Sequence, residues 1–345
     1  MRPRGDSVSR PVTRNVGQAF RQRPQWTQVD RSSSDGASGP LNVDGSRMSN
    51  TVEASLPGPM WQDWSLLSGA YSIGGGTRMS ERAESTPGWE RWPVAGTTDE
   101  HRRLLLMEQA YDKLTIGHLE RTGVAEGWRC LEVGAGAGSI AGWLAHRAGA
   151  ANVTATELYP DYLSGLADLG VRVLRHDVAA DEAPGDEFDL IHARLVLEHI
   201  RTRDEVVERL ASWLAPGGWL VLEDASYVPQ IAARPALRKL EEAWVRMAAG
   251  MMGSDVDWAR TFPLPLERAG LTGTSAELSM PALRGGTPLA AAIALGVRLG
   301  AGALLAGGTI TAAELDEVYH LCADPSLVDY SFQAIVAWGR RPAAG

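Results

Sequence analysis

Along the chain the pattern of apolar and polar positions changes character near residue 58. Up to that point Ser, Arg, Gly, Asp and Pro dominate, apolar residues stand alone, and neither helical nor strand periodicity appears. Such a stretch has too little apolar surface to offset the entropy of ordering, so residues 1–57 read as a disordered tail and 58–345 as a folded domain. Aromatic residues among turn formers follow, in "MWQDWSLLSGAYSIGGG" and "GWERWPVAG". Helical spacing then begins in "DEHRRLLLMEQAYDKLTIGHLERTG", where Leu105, Gln109, Asp112 and Ile116 alternate with Leu106, Ala110 and Leu114 on a broad face expected to be apolar. From there the period switches repeatedly between two and 3.6. "RCLEV", "NVTATEL", "VRVLRHD", "FDLIHARLVL" and "WLVLEDA" read as strands, with "SIAGWLAHRAG", "YPDYLSGLADLG" and "RDEVVERLASWLAPGG" as helices between them. Trp143 and Trp213 fall on apolar helical faces and read as core. Strands alternating with helices predict an α/β fold, a parallel sheet covered on both faces, with ligands at the carboxyl ends of its strands.

The remainder is less regular. "YVPQIAARPALRKLEEAWVRMAAGMMGSDVDWARTFPLPLERAGL" predicts a helix, a loop rich in Gly and Met and a second helix, and a sixth strand lies within "TGTSAELSMPALRGG". Before a last strand in "SFQAIVAWGRRP" come an apolar helix and another that starts with the capping box "TAAE", Thr311 to Glu314. The apolar run Leu289 to Gly308 has about the length of a membrane span, but Arg298 at its middle and its glycines favour a buried or lid helix.

Composition and charge narrow the partners. The 345 residues are 44% hydrophobic and 22% charged, and the net charge of −9 opposes nucleic-acid binding, which ordinarily leaves a basic stripe. Cys130 and Cys322 lie far apart and suggest neither a disulfide framework nor a metal site, in keeping with a reducing cytoplasm. No apolar run follows Arg2 and Arg4, so a secretory leader is not expected. Asp6, Asp30, Asp35 and Asp44 weaken an organelle presequence, and translation from Met48 is a third reading. A homodimer is compatible with the chain.

Chemistry concentrates in "CLEVGAGAGSIAGWLAHRAG", where Gly134, Gly136 and Gly138 join a strand to a helix. A glycine loop there lets a ligand lie against bare peptide groups near a helix N-terminus. The dinucleotide fingerprint requires its third glycine at the position of Ser139, one residue later than Gly138. Glu132, two residues ahead of the first glycine, would repel a pyrophosphate and suit an ammonium or a sulfonium. Glu157 and Asp177, each at a strand end, are alternatively solvated loop carboxylates. His192, Arg194 and His199 close the fourth strand and its turn.

"LEVGAGAG", "TATEL", "RHDV", "FDLIHARLVLEHI" and "LAPGGWLVLED", in this order, resemble the class I S-adenosylmethionine-dependent methyltransferases, most closely the small-molecule enzymes of actinobacteria. The resemblance covers about residues 102–224, which would be the cofactor-binding core, and leaves about 225–330 as a substrate and lid region. It implies a Rossmann-like, doubly wound, seven-stranded, mostly parallel sheet with helical insertions over the substrate. It implies S-adenosylmethionine as cofactor, Glu132 at its methionine end, Gly134, Ala135, Gly136 and Gly138 beneath it, and Glu157 with Leu158 at the ribose. Asp177 would bind the adenine amine and Val178 flank the ring, while His192 and Arg194 would lie near the methyl donor or the acceptor. His199 would be the base if the acceptor is a hydroxyl. The expected reaction is O-methylation of a small metabolite, without a metal and without a nucleic-acid or membrane partner. A nicotinamide-dependent reductase and a binding-only S-adenosylmethionine protein are the alternatives.

Overall fold

The computed structural model describes Trp92 and residues 95–343, so the expected tail and the aromatic-rich stretch after it lie outside the described residues. Helix α1 (Thr98–Arg121) opens with the Thr97 hydroxyl accepting from the Glu100 N–H. The chain then alternates: β1 (Cys130–Val133), α2 (Ser139–Ala148), β2 (Val153–Glu157), α3 (Ser164–Asp168), β3 (Arg172–Arg175), β4 (Phe188–Arg194), α4 (Arg203–Trp213) and β5 (Leu214–Ser226). After β5 come α5 (Pro235–Met247), α6 (Leu264–Arg268), β6 (Thr272–Ser279), β7 (Leu283–Arg284), α7 (Pro288–Ala306), α8 (Ala312–Ala323), β8 (Val328–Asp329) and β9 (Gln333–Arg340).

One seven-stranded sheet has the order β3-β2-β1-β4-β5-β9-β6. Its strands are parallel except β9, which runs antiparallel to both β5 and β6. The order reverses between β1 and β4, and at such a switch point the flanking loops leave on opposite faces and open a crevice at the strand ends. β1 is buried over its whole length, and β2 over all but its last residue, as strands covered on both faces must be. One apolar core, around Ile140, Leu144 and Val153, lies under α2. A second, around Val207, Leu210 and Leu266, lies under α4 and α6. A third, under α5, α7 and α8, joins the inserted helices to α1 and not to the sheet centre.

The elements follow the apolar pattern with four departures. "YPDYLSGLADLG" forms a 3-10 turn that Pro160 opens and then a five-residue helix, a short span before the chain turns at Gly170 into the next strand. Helix α4 stops at Trp213, and Leu214 already pairs with Phe188 across a bulge before the register resumes at Leu190 and Trp219. Trp143 and Trp213 are partly buried on the rims of two cores instead of lying inside them.

The fourth departure is at α1, where Ala110, Leu114 and Ile116 pack against the cores as expected but the most buried stripe is polar. Leu105 is 41% exposed, while the buried stripe runs through Glu100, Glu108, Tyr111, Thr115 and His118. Polar residues face inward because the ends of β4 and β5 offer them partners. Thr115 Oγ1 donates to Glu223 Oε2 at 2.7 Å, His118 Nδ1 lies 2.9 Å from Glu223 Oε1, and Arg194 donates to Asp112 Oδ1 at 3.0 Å and to Thr115 Oγ1 at 2.9 Å. Burial pushes the Glu223 carboxyl up, but the hydrogen bonds from His118 and Thr115 and the neighbouring cations outweigh it and hold the pKa below its ordinary value.

Helix α7 is long and apolar enough to cross a membrane by composition. Its inner side packs against α1, α5 and α8, and Arg298 faces Asp99 of α1 at 3.8 Å.

Thr115→Val is expected to lower the unfolding free energy by about 2 kcal/mol, the cost of removing a hydrogen bond to a buried charge. Since the Glu223 pKa is depressed, this loss should be full above the ordinary carboxylate range and fade as pH falls through the lowered pKa. Urea titrations at neutral and acid pH measure it; equal midpoints for both proteins at neutral pH would mean that α1 docks by apolar contact alone.

Candidate active site

The three glycines of the β1–α2 loop have positive φ values of 64°, 60° and 100°, conformations that side-chain-bearing residues rarely adopt. Their surroundings separate them. A Cβ on Gly134 would stand 2.4 Å from Val196, and one on Gly138 would stand 2.8 Å from Leu166, so these two are required by the protein's own packing. A Cβ on Gly136 would meet only Leu104, at 3.9 Å, and would project toward the cavity that this loop lines. Gly138 is the cap of α2 and stays outside the cavity lining.

That cavity measures about 540 Å³ and extends from the loop to the inserted helices. At the loop end it is bordered by Glu132, Ala135, Glu157, Leu158, Asp177 and Val178. Their placement follows from parallel pairing: β1, β2 and β3 all end on the same side, so the residues at their carboxyl ends surround one crevice. Glu157 accepts from the N–H groups of Gly136 at 2.9 Å, Leu158 at 2.7 Å and Tyr159 at 3.4 Å, which fixes the loop to the end of β2. Burial raises its pKa against the pull of those three donors. Asp177 Oδ1 accepts from the Ala179 N–H at 2.9 Å, a local turn that holds the carboxyl at the rim.

His192 is not at the cavity. It is fully buried beside Glu132, with Nδ1 at 2.8 Å from Glu132 Oε2 and Nε2 without a partner. Burial pulls its pKa down, but the charge and hydrogen bond of Glu132 outweigh it and raise the value. Arg194 does line the cavity, and its guanidinium is held by Asp112, which also accepts from Ser139 Oγ at 3.0 Å. Helix α1 thereby grips the start of α2, the more so because Glu108 Oε1 accepts from the Ser139 N–H at 3.0 Å.

His199, from the turn after β4, lines the middle of the cavity. Nδ1 is 2.8 Å from Ser254 Oγ and Nε2 is 3.4 Å from Glu198 Oε1. Burial and the charges of Arg103 and Arg203 push its pKa down to about 3, so the ring is neutral at any working pH. The Glu198 approach is not an ion pair, because the imidazole is neutral. Burial raises the Glu198 and Asp224 carboxyls, with the charge of Asp224 adding to the rise at Glu198 and that of Glu223 adding to the rise at Asp224, which reaches about 8. Asp224 Oδ1 accepts from the Val196 N–H at 3.1 Å, next to Leu195, whose φ of 57° is the one positive value outside glycine among the described residues. Strain of this kind persists where the surroundings enforce it.

Residues 98–275, more than half of the chain, match the family model of a methyltransferase domain. The chain belongs to the methyltransferase family. Its class is that of the S-adenosylmethionine-dependent enzymes with a Rossmann-like sheet. The chain is similar to the methyltransferase GfsG of Streptomyces halstedii, 28% identical over 192 residues that make up 52% of this chain and 63% of that protein. It is similar to the methyltransferase str2 of Strobilurus tenacellus, 30% identical over 43% of this chain and 52% of the relative. It thus spans between half and two thirds of these relatives' lengths. Among solved structures, YcgJ of Bacillus subtilis aligns over 67% of this chain and all of its own, with 16% identity and a TM-score of 0.46.

The crevice of this methyltransferase suits the cofactor of its family. Three carboxyls border the loop end, a charge set matched to a cationic ligand with hydroxyls, and at Gly136 a missing side chain leaves the space open. Among the described residues no group of His, Cys, Asp and Glu is arranged to hold a metal. Asp112, Arg103, Glu198 and Glu241 escape the sequence pattern, though all four stand at or beside the cavity. Glu198 adjoins His199, and the spacing of Glu108, Asp112 and Thr115 was the available signal for the inward polar stripe.

The raised Glu198 and Asp224 carboxyls set a pH dependence of stability. The native pair keeps a proton that the unfolded chain releases in the ordinary carboxylate range, so stability is full below that range and falls as pH rises toward about 8. Asp224→Asn should flatten this slope, recovering more than about 1 kcal/mol at the alkaline end relative to the acid end. Thermal unfolding of the ligand-free protein across this range tests it, and parallel slopes for the two proteins would contradict the raised Asp224 carboxyl.

Proposed function

We propose that the protein methylates a small, largely apolar metabolite, with a hydroxyl oxygen as the accepting atom. The observation that carries this reading is the continuity of the 540 Å³ cavity, which runs from the glycine loop past His199 to Trp244 of α5 and Ile293 and Val297 of α7. Its far end is walled by apolar side chains from the insertions, which suits an enclosed small molecule better than a polymer. GfsG and str2 are methyltransferases, and a ubiquinone biosynthesis O-methyltransferase of Paracidovorax citrulli is 29% identical over 31% of this chain and 48% of its own. That similarity supports oxygen as the acceptor.

Glu132 would hold the methionine end of the cofactor, Glu157 the ribose hydroxyls and Asp177 the adenine amine, with Val178 along the ring. S-adenosylmethionine, when bound, supplies an electrophilic methyl group on a sulfonium. The chain's part is to hold the acceptor oxygen in line and to exclude water, which can account for most of the acceleration. Helices α1 and α7 would act as the lid. His199 Nε2 would receive the hydroxyl proton. Its neutrality keeps a lone pair available at every working pH, at the price of weak basicity, so its contribution is modest.

Calorimetry should detect binding of S-adenosylhomocysteine, and Glu157→Ala should weaken it by about 1 to 3 kcal/mol, the range for lost charge-assisted hydrogen bonds. In a methyl-donor screen over phenols, acids and amines, His199→Ala should lower kcat by about tenfold to a hundredfold and leave cofactor affinity nearly unchanged. Tighter binding of NADH than of S-adenosylhomocysteine, or methylation of RNA or peptide with no small-molecule product, would sink the proposal.

A further inference from the structure

Two buried polar atoms without a partner belong to residues that line the cavity: His176 Nδ1 at the loop end and Glu241 Oε1 at the far end. Glu241 stands on α5 between two cavity-lining neighbours, Leu240 one residue before it and Trp244 three residues after, and its side chain is 4% exposed. The other charges at this end are paired. Arg103 donates to Glu100 through Nε at 2.9 Å and Nη2 at 2.7 Å, and Arg194 is held by Asp112. A buried carboxyl with an unsatisfied oxygen costs stability, and a fold retains such a cost where a ligand meets the group.

We propose that Glu241 is the residue that selects the acceptor, taking a hydrogen bond from an acceptor hydroxyl at the apolar end of the cavity. This rests on the methyltransferase reading of the same cavity and adds the substrate class: a hydroxylated ring compound whose apolar body lies against Trp244, Phe332 and Ile293. The Ser331 hydroxyl already donates to the carboxyl, so a second donor from the ligand completes the solvation of the anion. The groups facing Glu241 are Ser331 and Asp329 on one side and Tyr111 and Tyr227 on the other; none is a cation. Burial foremost, together with Asp329, pushes the carboxyl up to about 7. A donating hydroxyl favours the ionised form, so affinity for it rises with pH through that value. A carbonyl ligand would favour the acid form and show the opposite trend.

The test uses the full chain loaded with S-adenosylhomocysteine and three probes, naphthol, its methyl ether and acetylnaphthalene, with wild type, Glu241→Gln and Glu241→Leu. Wild type should bind naphthol about 10- to 100-fold more tightly than the ether, the range for a hydrogen bond to a charged group. That preference should grow from pH 6 to pH 8 in wild type, lose its pH dependence in Glu241→Gln and vanish in Glu241→Leu. Glu241→Leu should keep or raise the Tm of the ligand-free protein and leave affinity for S-adenosylhomocysteine within about twofold. Absence of a naphthol preference, including failure of both probes to bind, overturns the proposal. So does preferred binding of acetylnaphthalene, or a Glu241→Leu protein that melts earlier and keeps the preference, which would make the carboxyl structural. Selective naphthol binding without methylated product from any small molecule removes the proposed function and leaves Glu241 as a recognition residue. Methylated product without selectivity removes the role of Glu241 alone.

Discussion

Everything at the cavity hangs on one polar seam, the contact of α1 with the carboxyl ends of β4 and β5. Asp112 holds Arg194 and Ser139 together, and Thr115 and His118 occupy both oxygens of Glu223. Arg194 and Glu223 are register partners on adjacent strands, so a single helix face spans both strands and the start of α2. Burying these charges is tolerable only because each has its counterpart at hydrogen-bond distance, and losing one partner would strand another in a dry site. The same face reaches forward to α7, so the seam that closes the crevice also carries the helix above it.

The cavity has two ends of different physical character. At the loop end, backbone and carboxyl groups meet: Glu157 is bound to the Gly136 amide, and two of the three loop glycines are fixed by contacts with Val196 and Leu166. The loop is therefore held in shape by the protein before any ligand arrives, which reduces the ordering cost of binding. At the far end aromatic and aliphatic side chains form the wall. Tyr111 and Tyr227 pack against Phe332, and Trp244 meets Trp92 edge to face. Between the ends lie a neutral imidazole and the Glu198 carboxyl, whose pKa burial raises as it does that of Asp224 nearby, an arrangement in which little net charge has to be buried.

The order of strands and helices in the cofactor half was legible because each element there is buried on a face with its own period. β1 and β2 read as short strands, and α2 as a stripe stopped by Gly149, while α4 reads as a stripe whose end falls at Trp213, short of the Gly217 that the pattern suggested. The capping box at Thr311 and Glu314 forms as its spacing requires, since both hydrogen bonds are local. The carboxyls at the strand ends were likewise legible, because parallel pairing brings consecutive strand ends to one side whatever the details of packing.

What stayed hidden was every relation between residues distant in sequence. An apolar count places Ala110, Leu114 and Ile116 of α1 on the cores but misses the polar stripe beside them, since Thr115 and His118 look solvated until Glu223, more than 100 residues away, is placed opposite them. His192 and Arg194 are two residues apart on one strand and look alike in sequence. Alternation puts them on the same face of the sheet, yet Arg194 lies at the rim in reach of α1 while His192 is buried against Glu132 of the neighbouring strand. The sequence by itself determined the fold class and the glycine loop, because local periodicity and spacing encode them, and its resemblance to a family implied the cofactor. Only the tertiary structure decided which charges are paired, which carboxyls hold raised pKa values and which carboxyl oxygen at the cavity lacks a partner, because those depend on the dielectric and the neighbours that packing supplies.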